Sequence, residues 1–423
     1  MYFSKVFPAV FALAAFSFAA PALAAPTPGR IEIEFSHQLD EERAERLEKL
    51  VDRFNSEQKG YQLKLVRRVA GDAPQHINLA TRDDLVRFVA NRKKFKPLYD
   101  VMREAKEPLD GAKLSPELRA GISDPKGKIF ALPVALSTPV FYFNKAAFRK
   151  AGLDPENPPK TWRQVQQAAD KLYDVGSNCP YTTSWPTWVH IDNISAWNGA
   201  EVSDAKGNLA FNGLVQVKHI AMLASWHKVK FFTYFGRRDE ADRRFAAGEC
   251  GMLTSSSSLY GSLHESTTID VGVSALPYHD DVRDAPQHTL ADGPSLWIGG
   301  DKKAAEYKGV AKFVSFLLGP EMQVELTLAG GFLPMTPVAR AAATSKLLSA
   351  DMAGLHVAYR QLQGKGNATR PLRVSQIEPV RLIVDEELET VWANKKPAKE
   401  ALDNAVLRGN AILPASLKAR QPL

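Results

Sequence analysis

Only two cysteines, Cys179 and Cys250, occur among the 423 residues, which excludes a disulfide-dense scaffold and a cysteine-built zinc or iron–sulfur site. The nine histidines are scattered. No HExxH pair and no carboxylate cluster at ligand spacing accompanies them, so no metal is expected. The GxSxG elbow, the P-loop and the dinucleotide fingerprint are all missing, and with them the usual signs of a hydrolase or a nucleotide-dependent enzyme; neither catalysis nor a cofactor is expected. Repeats and low-complexity segments are absent too. Beyond residue 24 no apolar run is long enough to cross a bilayer. The formal charge is +7, yet bases alternate with acids, as in EERAERLEKLVDR (41–53). That pattern is a solvated helix face and does not suggest a nucleic-acid surface.

What is present begins with residues 1–24. Lys5 leads into an apolar run that ends in Ala22-Leu23-Ala24, the pattern of a secretory signal cut before Ala25; it is too short and proline-broken for a spanning helix. The mature chain is therefore expected in the periplasm or outside the cell, and the lack of a cysteine at the cut argues against a lipid anchor. In an oxidising compartment Cys179 and Cys250 can pair once; two separate buried thiols are the alternative.

The mature length suggests two lobes of α/β type. Ile31–Phe35 alternates as a strand, with His37 at its C-terminal end. Asp40 caps a helix over about 41–55, and Tyr61–Val66 follows as a second strand, completing a βαβ unit. Ile77–Ala80 is a short strand ending near Arg82-Asp83-Asp84. A carboxylate there can accept hydroxyl protons from a ligand, and a plain helix cap accounts for it equally well. Val140–Asn144 is a fully apolar strand, and Thr161 caps a helix through Leu172. Tyr181–Trp197 carries three of the seven tryptophans. Trp185 and Trp188, held by Pro186, can offer flat faces to the C–H side of a polyol, although tryptophans sit more often in cores.

The stretch 245–263, FAAGECGMLTSSSSLYGSL, reads as turn, short buried strand and helix start. Its serines bring hydroxyls and backbone N–H groups to the positive end of a helix, where a small anion can be held; a helix cap without ligand is the alternative. Asp292-Gly293-Pro294 opens another strand, and Gly293 lets backbone approach a ligand or simply turns the chain. Helices are expected over 215–227, 239–247, 308–318 and 379–392. In the last, Arg381 can grip a phosphate with two parallel hydrogen bonds or pair with Asp385 one turn on.

Several long stretches, STPVFYFNKAAFRKAGLDPENPPKTW (137–162), ISAWNG (194–199), QVKHIAML (216–223), ADGPSLWI (291–298), GVAKFVSFL (309–317) and VRLIVDEELETVW (380–392), closely resemble the periplasmic solute-binding proteins of ABC importers. The resemblance runs over nearly the whole mature chain. It implies the type II periplasmic-binding-protein fold: two hinge-linked α/β lobes around a central cleft, with residues 25–138 plus 293–338 in one and 139–292 plus 339–423 in the other. It also implies the ligand set Asp83, Ser137, Trp185, Trp188, Ser256, Gly293 and Arg381. Ser137, Ser256, Gly293 and Arg381 would surround a phosphate, and Asp83 and the tryptophans would meet a polyol. The implied ligand is a phosphorylated polyol such as sn-glycerol-3-phosphate or a glycerophosphodiester, and the implied partners are membrane permease subunits. A neutral sugar or polyol, or a secreted phosphodiesterase, are the alternatives.

Three departures from the family pattern bear on specificity. A helical stretch with a ligand-binding tyrosine is missing between Val69 and Gly71. Phe332 replaces a second tyrosine and cannot donate a hydroxyl hydrogen bond. Asp83 stands for a glutamate and reaches less far, with Asp84 as the alternative if the alignment shifts by one.

Overall fold

A computed structural model describes residues 29–69, 71–81, 84, 87–88, 91–107, 109, 114, 128–330, 332–349, 355–362 and 374–413. The expected signal sequence and Asp83 lie outside the described residues.

Two sheets organise a two-lobed α/β molecule. The first holds β1 (Ile31–His37), β2 (Tyr61–Arg67), β3 (Ile77–Ala80), β4 (Phe95–Lys96), β5 (Leu132–Pro133) and, from far along the chain, β11 (Ser295–Gly299), in the order β2-β1-β3-β11-β4 with β5 also on β11. The second is made of β6 (Pro139–Asn144), β7 (Tyr181–Thr183), β8 (Phe232–Thr233), β9 (Met252–Ser256) and β10 (Val271–Ser274), in the order β10-β6-β9-β7-β8. The chain thus passes from the first sheet to the second between β5 and β6 and returns between β10 and β11.

Local chemistry sets the helices. Asp40 accepts the Arg43 N–H at 2.9 Å to start α1 (Glu41–Glu57). Thr161 and Gln164 exchange side-chain-to-backbone hydrogen bonds in a capping box that starts α2 (Trp162–Asp174). Further on come α3 (Ala304–Leu317), α4 (Val374–Trp392) and α5 (Ala398–Ile412). Helix α4 begins five residues before Pro379, where the sequence suggested a start.

All six residues of β6 are buried, and the two-residue period of the strand divides them between two cores. Val140 and Tyr142 join the core that includes Phe35, Phe54 and Phe313. Phe141 and Phe143 face the opposite way, toward Trp162, Trp188 and the apolar sides of α4 and α5. The question left open for the cysteines is answered: Cys179 and Cys250 form a disulfide across 71 residues of chain. Among the described residues, no helix is long and apolar enough to cross a membrane.

A polar chain runs through the second core. His279, His219 and His190 are linked ring to ring at 3.0 and 2.9 Å, and His190 reaches the Tyr181 hydroxyl at 3.3 Å. Tyr181 in turn contacts Thr254 at 2.7 Å, and Thr254 donates to Thr183 at 2.8 Å. Neutral rings carrying the proton on Nε2 satisfy every link in one direction, from His279 to Thr183. Because His219 spends its two nitrogens on different neighbours, the three rings cannot converge on one metal ion. Burial holds His190 down at about 3 and His279 at about 4, and keeps His219 well below the ordinary histidine value.

Candidate functional site

The two passages between sheets meet. Ser137, just before β6, and Asp292, just before β11, form an antiparallel bridge, with Ser137 N–H to Asp292 O at 3.0 Å and Asp292 N–H to Ser137 O at 2.9 Å. A third segment joins them where Leu333 N–H donates to Leu136 O at 2.6 Å, which brings the neighbouring, half-buried Phe332 to the same crossing. The backbone is tight here. A Cβ on Gly293 would fall 2.9 Å from the Ala135 carbonyl oxygen and 3.1 Å from the Leu136 Cα, and Ala135 itself has a φ of 49°.

Ser256 closes β9 opposite Pro139 of β6. Its hydroxyl donates to Ser137 Oγ at 2.7 Å, lies 2.7 Å from Ser258 Oγ and accepts the Ser258 N–H at 3.2 Å. Ser137 Oγ donates onward to the Asp292 carbonyl at 3.4 Å.

Arg381 reaches this crossing from α4. It is 7% exposed. Its Nη1 donates to Asp292 Oδ2 at 2.6 Å, while Nε and Nη2 meet Asp192 Oδ2 at 2.9 and 2.7 Å. Asp385, one turn along α4, accepts the Thr187 hydroxyl. The second oxygen of Asp292, Oδ1, accepts the Gly293 N–H at 2.7 Å. Ser256, Ser137, Gly293 and Arg381 are thereby joined in one network whose common member is Asp292.

The tryptophan segment abuts it. Trp188 begins a π-helix, Trp188–Asn193, that carries Asp192 to Arg381. Such wide turns recur at functional sites. Asn193 fastens this segment to the crossing by accepting the Leu290 N–H at 2.7 Å. Trp188 is 1% exposed and belongs to the second core, whereas Trp185 is only half-buried, with a φ of 52°. A tryptophan in the left-handed region is strained, and strain of that kind concentrates at functional sites. Asp84, the alternative to Asp83, is buried and engaged by Arg68 at 2.6 Å and Arg87 at 2.5 Å.

Sequence reasoning missed Asp192 and Asp292 as members of the site. Asp292 stood in plain view before Gly293 and read only as the opening of a strand; Asp192 carried no signal of its own. A separate groove of about 1240 Å³ lies along the edge strand β10, lined by Lys145, Lys160, Trp197, Tyr260 and Gln361 among others. Among the described residues, none of the expected ligand residues lines it.

Comparison with known proteins places the chain among transport receptors. The model of a family described as bacterial extracellular solute-binding protein matches residues 50–353. The sn-glycerol-3-phosphate-binding periplasmic protein UgpB of Pectobacterium atrosepticum is 38% identical over 406 residues, covering 90% of this chain and 91% of that one. Its namesake from Escherichia coli K12 is 37% identical over 405 residues, with 90% and 92% covered. Among solved structures, UgpB of Mycobacterium tuberculosis in complex with glycerophosphocholine superposes with a TM-score of 0.75 at 21% identity, over 91% of this chain and 98% of that one. A cyclic α-maltosyl-1,6-maltose binding protein from Arthrobacter globiformis gives 0.70 at 20% identity, over 90% and 99%. At those identities the two structures speak for the fold.

Proposed function

The chain belongs to the bacterial extracellular solute-binding proteins, and on that premise we propose that it is the periplasmic receptor of an ABC importer for sn-glycerol-3-phosphate or a glycerophosphodiester. The ligand lies in the cleft between a lobe of residues 25–138 with 293–338 and a lobe of 139–292 with 339–423. It is handed to membrane permease subunits without chemical change.

The observation that carries this reading is the meeting of Ser137, Ser256, Gly293 and Arg381 at one crossing of the chain. Two hydroxyls, a backbone N–H and a guanidinium within one network are donors suited to a phosphate. Trp185, and Asp83 from beyond the described residues, would take the polyol end. Titration calorimetry tests it: Arg381→Ala removes a charge-assisted donor and is expected to weaken glycerol-3-phosphate at least tenfold, following the roughly 1.5–3 kcal/mol carried by such bonds. Unchanged affinity would sink the anion site. Glycerophosphocholine incubated with the protein should be recovered intact, since the role is binding alone.

One observation favours a second reading. The charge of Arg381 is met by carboxylates of Asp192 and Asp292, a setting that also suits a neutral sugar or polyol lying on Trp185. Competition separates the two, because inorganic phosphate displaces the ligand only from an anion site.

A further inference from the structure

The Asp292 carboxylate occupies two of the donors expected to hold an anionic headgroup. Its Oδ2 takes Arg381 Nη1 at 2.6 Å and its Oδ1 takes the Gly293 N–H at 2.7 Å. Two oxygens of one anion spanning a guanidinium and a backbone N–H is the arrangement a phosphate would adopt there. Asp192 adds a second carboxylate on the other side of the same guanidinium, at 2.7 Å. Within the contacts of the described residues, the guanidinium thus meets two carboxylates. The side chains of both Arg381 and Asp192 are about nine-tenths buried, at 9% and 10% exposure, so water screens their pairing weakly.

We propose that Asp292 is a specificity-determining residue: a phosphate headgroup binds only in exchange for its carboxylate, and a singly charged headgroup exchanges more readily than a doubly charged one. The inference rests on the reading of the chain as a receptor for a phosphorylated polyol. Its physical basis is that a carboxylate accepts hydrogen bonds and cannot donate them. Beside a displaced Asp292, a phosphate oxygen is tolerated when it carries a proton or an ester group, and repelled when it carries charge alone. A phosphomonoester loses its second proton near pH 6, whereas a diester stays singly charged. The site therefore ranks glycerophosphodiesters above monoester dianions, and Asp292 sets that order.

The experiment is calorimetry on the mature protein with sn-glycerol-3-phosphate and glycerophosphocholine at pH 5.5 and pH 8. In the wild type, the affinity for the monoester relative to the diester is expected to fall as the pH rises. Asp292→Asn keeps the shape and the oxygen facing Gly293 while removing the charge. It is expected to bind the monoester at pH 8 at least tenfold tighter than wild type and to flatten the pH dependence. A variant that binds the monoester no tighter, or a wild-type ratio that stays level or rises with pH, overturns the proposal; the wild-type ratio alone decides it should the variant not fold. If the wild type binds neither compound at either pH, the receptor reading falls and this inference with it. Binding of both with Asp292→Asn unchanged removes this inference alone.

Discussion

At Gly293 a single hydrogen atom decides whether the crossing can close. The Ala135 carbonyl and the Leu136 Cα that a methyl group would strike are both main chain, and main chain here is fixed by the Ser137–Asp292 bridge. Gly293→Ala is expected to cost about 1–3 kcal/mol in thermal or urea unfolding, the usual range for overpacking, and to weaken ligand by shifting the Gly293 N–H. An unchanged midpoint would mean that the backbone can yield. This tightness was not visible in the sequence, where Gly293 is one glycine among 27. Ser137, Gly293 and Arg381 were legible because each offers a donor and sits in a long family-like stretch, and Ser256 because it lies in the serine run at a helix start. Asp192 and Asp292 were not, because a carboxylate becomes a counter-ion only when the chain brings a guanidinium to it across 189 and 89 residues.

Elements rather than residues explain the histidine chain, since the π-helix, the helix Leu214–Lys228 and the loop after β10 supply one ring each. Residues 190, 219 and 279 show no motif spacing, so from sequence they read only as scattered histidines. Several strands and helices were legible: the apolar run 140–144 falls within the strand Pro139–Asn144, and the Thr161 cap lies where its chemistry placed it. In the folded protein the three rings are held neutral with values below the unfolded 6.5, two of them at about 3 and about 4. Between those values and 6.5 the unfolded chain binds more protons, so their stabilisation is full above pH 6.5 and is lost as the pH falls. Asp242, on the helix Glu240–Ala246, opposes them, because burial raises its carboxyl to about 6. Its contribution is present below its unfolded value near 3.9 and is lost as the pH rises through about 6. Three groups outweigh one, and the melting temperature is expected to drop between pH 7.5 and pH 5. His219→Gln should lower stability at pH 7.5, by about 1–3 kcal/mol for the broken links, and shallow that acid slope. A slope as steep as wild type would show that the chain does not govern it.

For the whole molecule, the sequence read two lobes and a returning chain, and the position of β11 between β3 and β4 shows the physical form of that return. The disulfide could not be read, because proximity of two cysteines 71 residues apart is a property of the finished fold. It joins the residues leading into β7 and β9, which pair in parallel, and so closes a long loop within the second sheet. Replacing both cysteines by serine is expected to destabilise by roughly 2–4 kcal/mol, read as a lower urea midpoint that reductant reproduces in the wild type; reductant without effect would count against it.

Ser137 and Gly293 sit where the two interlobe strands of chain clasp each other. A point beside an axle sweeps a short arc however far the jaws swing, while a point out at the rim travels several times as far. In the proposed receptor, groups holding the charged end of a cargo there would move little as the jaws shut, and molecules of like charge trailing different tails would be sorted by how far the rim can close over them.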